Sequence, residues 1–168
     1  VQTCALPIYV PIIMGEHLDV WHYDSGAEIS QISPQALKAI LPSATRVDWG
    51  EVSFVSANNI SRTTMTLYRV EHCCLIQMES GVVSQGATTY FMCNPNLKTY
   101  DRLLGLNTMK DLQLCDRHVN DVIEDTMGRP FRKYSRKALA KLQQSVDVWN
   151  RKKAIVEESV KLKGNLDR

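Results

Sequence analysis

Short β-rich segments, each closed off by turn residues, recur through the first two thirds of this chain, and their spacing restricts the fold more than any other feature. Residues 6–14 are apolar and carry two prolines, which suit an edge strand because proline donates nothing to a ladder. Gly15-Glu16-His17 is a turn, and residues 18–23 return as a second strand. Further strands are expected at 52–55, 62–70, 72–78 and 87–93. Between the first two of these, Asn58-Asn59 tolerates positive φ, so residues 56–61 read as a hairpin tip. Strands at this spacing imply a closed or sandwiched mainly β domain instead of βαβ units.

Helical signals are fewer. Ser33 is a good N-cap and Pro34 a good first helical residue, so a short helix should run to about residue 40 and stop at Leu41-Pro42-Ser43. A second short helix is expected after Gly105, where an apolar run ends. From about Phe131 the period changes: Leu139, Leu142, Val146, Trp149, Val156 and Val160 recur in steps of three and four, with Lys153 interrupting the stripe. That pattern predicts one long amphipathic helix.

Charge divides the chain at the same place. Its net charge is +2, but residues 1–115 hold 7 Lys/Arg against 10 Asp/Glu, while residues 116–168 hold 13 against 8. The expected organisation is therefore a mildly acidic domain over 1–115 and a basic, mostly helical extension over 116–168. The extension is read as packing on the body or on a dimer mate; the functional alternative is contact with nucleic acid or a downstream polymerase, since clustered Lys/Arg neutralises phosphates. Five cysteines in no regular framework favour free thiols and an intracellular setting, cytoplasmic or particle-associated. Neither His72-Cys73-Cys74 nor Cys115-Asp116-Arg117-His118 has a convincing second pair, so no metal site and no cofactor is expected. No apolar run reaches membrane-span length, and the chain, which does not begin with Met, is expected to be a piece of a longer polypeptide.

One stretch carries chemistry. Residues 20–30, VWHYDSGAEIS, run as an apolar strand into an acid, and a carboxylate there is costly unless hydrogen bonds support its charge. Ser25 and Gly26 are small enough for a sharp turn that brings backbone N–H groups to Asp24. Taken alone, Asp-Ser-Gly is also an ordinary turn.

The order of parts adds to this: paired apolar strands, Asp24-Ser25-Gly26-Ala27, a short helix, a polar-tipped hairpin, more strands, then Leu103-Leu104-Gly105-Leu106-Asn107. Over roughly residues 5–115 this resembles the retropepsins, the aspartic proteases of retroviruses and LTR retrotransposons and their domesticated relatives. The resemblance implies a retropepsin-like closed β-domain of the homodimeric acid-protease fold, with a C-terminal α-helical extension. It implies that Asp24 is the catalytic carboxylate, paired with its mate in a homodimer that cleaves polypeptides and is itself matured from a Gag-Pol-like polyprotein. It further implies that Ser25 and Gly26 shape the active-site loop and that Ala27 and Glu28 line the cleft. Ala57, Asn58 and Asn59 would form the flap tip, while Gly105 and Asn107 would support the loop from below. Two features depart from the pattern: Trp21-His22-Tyr23 replaces the usual aliphatic residues, and the flap tip holds no glycine. They leave open a second reading, a retropepsin-like dimerisation or peptide-binding scaffold without turnover. His22 is read as a core histidine satisfied by backbone, or else as a titrating neighbour of the acid pair.

Overall fold

The computed structural model describes residues 7–55, 62–97, 100–118 and 120–166, with only the backbone course given for 48–55 and 62–64. Strand β1 (Ile8–Met14) turns at Gly15 into β2 (His17–Tyr23), followed by β3 (Ser30–Ile32) and helix α1 (Pro34–Ile40). As the sequence predicts, Ser33 caps α1, its hydroxyl accepting from the Ala36 N–H at 3.1 Å. Two long strands come next, β4 (Ala44–Val55) and β5 (Arg62–Leu75), then β6 (Ala87–Cys93), β7 (Arg102–Leu104) and helix α2 (Leu106–Asp111). The chain continues through β8 (Cys115–Asp116), β9 (Val122–Glu124), β10 (Pro130–Arg132) and β11 (Tyr134–Ser135), and ends in helix α3 (Leu139–Leu166).

The large sheet closes on itself. Its order runs β1-β2-β7-β3-β6-β5, and β5 returns to β1 through Ile12↔Leu75 and Ile13↔Cys74, making a six-stranded barrel. Strand β4 flanks β5 and β11 flanks β1, while β8, β9 and β10 form a small antiparallel sheet. The expected mainly β, closed domain with a C-terminal helix is therefore the observed architecture. Its interior is packed by Val10, Ile12, Trp21, Ile32, Leu75, Phe91 and Leu104, with the Trp21 and Phe91 rings 4.9 Å apart.

Three details differ from the sequence expectation. The two strands expected either side of Glu71 are one, β5, whose register to β6 shifts between Val70 and Cys73, with His72 at φ 57. A bulge absorbs the misfit without ending the strand. Second, the helix begins at Leu139 and not near Phe131, because Phe131 and Tyr134 turn inward from strands β10 and β11 and are buried there. Third, residue 115 falls within β8, and Ile123 and Phe131 beyond it join the same core as Trp21. The extension thus contributes strands to the body before α3 begins.

α3 lies against the outer face of the barrel. Leu142 and Val146 are buried with Tyr9, Leu18, Ile76 and Tyr134, and Leu139 and Trp149 pack at the edge of that cluster. Lys153, which interrupts the apolar stripe in sequence, reaches back to donate to the Glu16 carbonyl at 2.8 Å. Asn150 does likewise to the Leu18 carbonyl at 2.9 Å. Beyond them the helix leaves the body, and Val156 and Val160 are exposed. Leu142→Ala should cost about 2–5 kcal/mol, the usual range for emptying a well-packed leucine site. Urea unfolding with an unchanged m-value checks it; a loss under 1 kcal/mol would mean that α3 is not docked in solution.

Candidate active site

Strand β2 carries its alternation to Tyr23 and then delivers Asp24 beside β7. The two strands run parallel, His22↔Leu103 and Tyr23↔Leu104, and the Asp24 N–H donates to the Leu104 carbonyl at 3.0 Å. The chain then turns sharply. The Gly26 N–H donates to Asp24 Oδ1 at 2.9 Å and the Ala27 N–H to the Asp24 carbonyl at 3.1 Å. Backbone thus supports the charge at the strand end, and the carboxylate stays half-buried with Ser25 and Gly26 exposed beside it.

The corner between β7 and α2 holds this turn from behind. Leu106 N–H donates to the Ala27 carbonyl at 2.8 Å and Asn107 N–H to the Glu28 carbonyl at 3.1 Å. The Asn107 side chain accepts from the Ser30 N–H at 2.8 Å and donates to the Tyr90 carbonyl at 2.8 Å, tying the turn to β6. Gly105 N–H donates to Ser30 Oγ at 2.8 Å. Contact is so close that a Cβ on Gly105 would lie 2.7 Å from the Ile29 carbonyl carbon and 2.9 Å from Ala27 O. The structure thus brings together Asp24, Ser25, Gly26, Ala27, Glu28, Gly105 and Asn107. Ala57, Asn58 and Asn59 lie outside the described residues.

Sequence reasoning missed the buried hydroxyls beneath. Ser30 Oγ lies 2.6 Å from Thr108 Oγ1, and Thr89 donates to Asp111 Oδ2 at 3.0 Å while lying 3.0 Å from Thr108. All three hydroxyl residues are fully buried. Each bond is satisfied inside the lattice, so it fixes the loop at little desolvation cost. The available signal was Thr108 itself, a polar residue at the buried position of a short helix.

A cavity of about 340 Å³ opens beside Asp24, lined by His22, Ser25, Tyr100, Asp116 and His118 among others. A larger hollow of about 830 Å³ lies elsewhere, between α1, the β1–β2 turn and α3, and Asp24 is not part of it. His22 stacks flat on Tyr100 at 3.8 Å and meets Tyr9 edge-on at 5.6 Å. Its Nδ1 is buried with no hydrogen-bond partner among the described residues, so a backbone-satisfied histidine is not what the structure shows. Burial holds the imidazole below its ordinary pKa, and the Asp24 charge works against that shift.

On the other side of the cavity, Asp116 forms a 2.8 Å ion pair with Lys133, both side chains only 5–6% exposed. Burial pushes the Asp116 carboxyl up, but the Lys133 ammonium and the His118 N–H outweigh it and hold the group below the usual carboxylate range. Tyr23, next to Asp24 in sequence, is pushed up to about 12, by burial first and then by the Asp116 charge and hydrogen bond. Asp116 therefore ties β8 both to Lys133, just after β10, and to Tyr23 at the end of β2. Because the folded pKa of Asp116 is depressed, its contribution is complete above the unfolded carboxyl value of about 3.9 and fades as pH falls through the lower folded value. Asp116→Asn strands the buried ammonium and should cost about 3–5 kcal/mol at pH 7. Thermal unfolding at pH 7 and pH 3 checks both statements; a variant as stable as the wild type at pH 7 would show the pair to be solvated.

Among the described residues, no three His, Cys, Asp or Glu side chains gather as a metal site requires, and no helix is long and apolar enough to cross a membrane. No family model and no curated protein sequence matches the chain. Among solved structures, the chain is similar to the retroviral protease-like domain of Ddi1 from Leishmania major. The TM-score is 0.47 and the identity 16%, over 77% of this chain and 95% of that one.

Proposed function

We propose that the chain is one half of a homodimeric aspartic endopeptidase, with Asp24 facing its symmetry mate across a two-fold axis. The observation that supports this most directly is the combination at Asp24. A carboxylate sits on a turn whose carbonyls are hydrogen-bonded by Leu106 and Asn107, yet it opens onto a cavity. An acid whose only task was to cap a turn would not need a second segment to lock that turn in place. Two such acids within about 3 Å share one proton, since both cannot be charged, as in aspartic proteases generally. The ionised member takes a proton from the attacking water while the protonated member polarises the scissile carbonyl.

In this reading Ser25 bonds across the axis and holds the two turns together, and Ala27 and Glu28 line the cleft. Ala57, Asn58 and Asn59 close over the peptide as the flap tip. The substrate is a polypeptide, including the polyprotein from which the chain would be released. The test is cleavage of a broad fluorogenic peptide library from acid to near-neutral pH, since a pair that shares one proton works only while that proton is held. Activity blocked by a pepstatin-like hydroxyl mimic of the tetrahedral intermediate is the expected result. Folded dimer that cleaves nothing across that range would make the chain a peptide-binding scaffold instead.

A further inference from the structure

We propose that α3 carries a second self-association surface, through which two copies pair antiparallel about Ile155. Helix residues advance about 100° each, so Ile155 lies half a turn round from Val146, which is buried against the barrel. Val148, Ile155 and Leu162 follow one another at seven-residue intervals and, with Leu166, make a stripe pointing away from the body. These four side chains are 39–85% exposed, and beyond the docked turns of the helix Val156 and Val160 are exposed as well.

Charge selects both the occupant and the direction. Arg151 and Glu158 flank the stripe on the same side. In an antiparallel pair centred on Ile155, Ile155 meets Ile155 of the second copy, Val148 meets Leu162, and Arg151 meets Glu158, the last two contacts occurring twice by symmetry. A parallel pair would carry this flank to opposite sides of the seam in the two copies, so Arg151 and Glu158 would not meet. Among the described residues neither side chain enters an ion pair, and Arg151 Nε reaches only the Asp147 carbonyl at 3.4 Å. Because the stripe faces away from the barrel, the two bodies lie on opposite sides of the helix pair and do not compete for the same space. The surface is separate from Asp24 and does not depend on the chain being a protease.

Cysteine cross-linking of the full chain decides it. In a background with Cys4 and Cys115 changed to Ser, three variants are oxidised at micromolar concentration: Val148→Cys, Ile155→Cys and Leu162→Cys. The antiparallel pair cross-links Ile155→Cys to itself and leaves the other two uncross-linked, while a mixture of Val148→Cys and Leu162→Cys cross-links again. Equal cross-linking at all three positions means a parallel pair, and no cross-link at 155 means no pair; either overturns the proposal. Arg151→Glu should reduce the yield at 155 and adding Glu158→Arg should restore it. A yield unmoved by the single reversal overturns the charge register. These residues lie outside the folded core, so circular dichroism should stay unchanged, and adding Asp24→Asn to the Ile155→Cys variant should leave its cross-linking yield unchanged whether or not the chain cleaves peptides.

Discussion

In the proposed protease, Asp24→Asn should abolish peptide cleavage, with a loss of about 10⁴-fold or more. General acid and general base transfer are each worth about 10²–10⁴-fold, and one substitution removes both from a symmetric pair. The amide keeps the size of the carboxylate and can still accept the Gly26 N–H that fixes the turn at 2.9 Å. Stability and dimerisation should therefore survive, and they improve if like charges at the axis cost the wild type anything. Initial rates on a library-selected substrate, measured beside sedimentation of both proteins, make the comparison. Cleavage retained within about tenfold, with the dimer intact, would remove Asp24 from the chemistry and leave it as a structural turn acid.

Gly105→Ala should destabilise the fold and slow the proposed cleavage. The residue sits at φ −106, so an alanine backbone is not strained. Space decides, because the new Cβ would meet Ile29 C at 2.7 Å, Ala27 O at 2.9 Å and Ser30 N at 2.9 Å, all backbone atoms with nowhere to rotate. Either the β7–α2 corner or the 27–30 segment has to move, which breaks the Gly105-to-Ser30 and Leu106-to-Ala27 bonds. Overpacking of this kind costs about 3 kcal/mol, and a shift near 1 Å at the reacting groups costs about 10²-fold in rate. Gly164 provides the control: it lies in α3 with nothing within 4 Å, so Gly164→Ala should stabilise by roughly 0.5–1 kcal/mol. Denaturation midpoints of the two variants should move in opposite directions. If Gly105→Ala is as stable as the wild type, the loop and the corner are not in contact in solution.

What could be read from the chain alone was whatever neighbouring residues decide among themselves. Ser33 and Pro34 start a helix because a hydroxyl and a fixed φ act within one turn, and the hydroxyl does cap Ala36. Asp24-Ser25-Gly26 makes a sharp turn because the donor for the carboxylate is two residues away. The stripe through Leu142 and Val146 announces a docked helix because a 3.6-residue period is local. Closure of the barrel was not legible in detail. It rests on Ile12 meeting Leu75 and Ile13 meeting Cys74, and such pairings depend on which edges remain free once every strand has formed. For the same reason the start of α3 was misplaced: residues 130–132 pair with β9 in the small sheet and residues 134–135 with β1 of the barrel, partners that the local period does not show. The stack of His22 on Tyr100, the pairing of Asp116 with Lys133 and the Ser30–Thr108–Thr89 hydroxyls join residues far apart in sequence. Their geometry is set by packing, and packing exists only after the chain has folded around it.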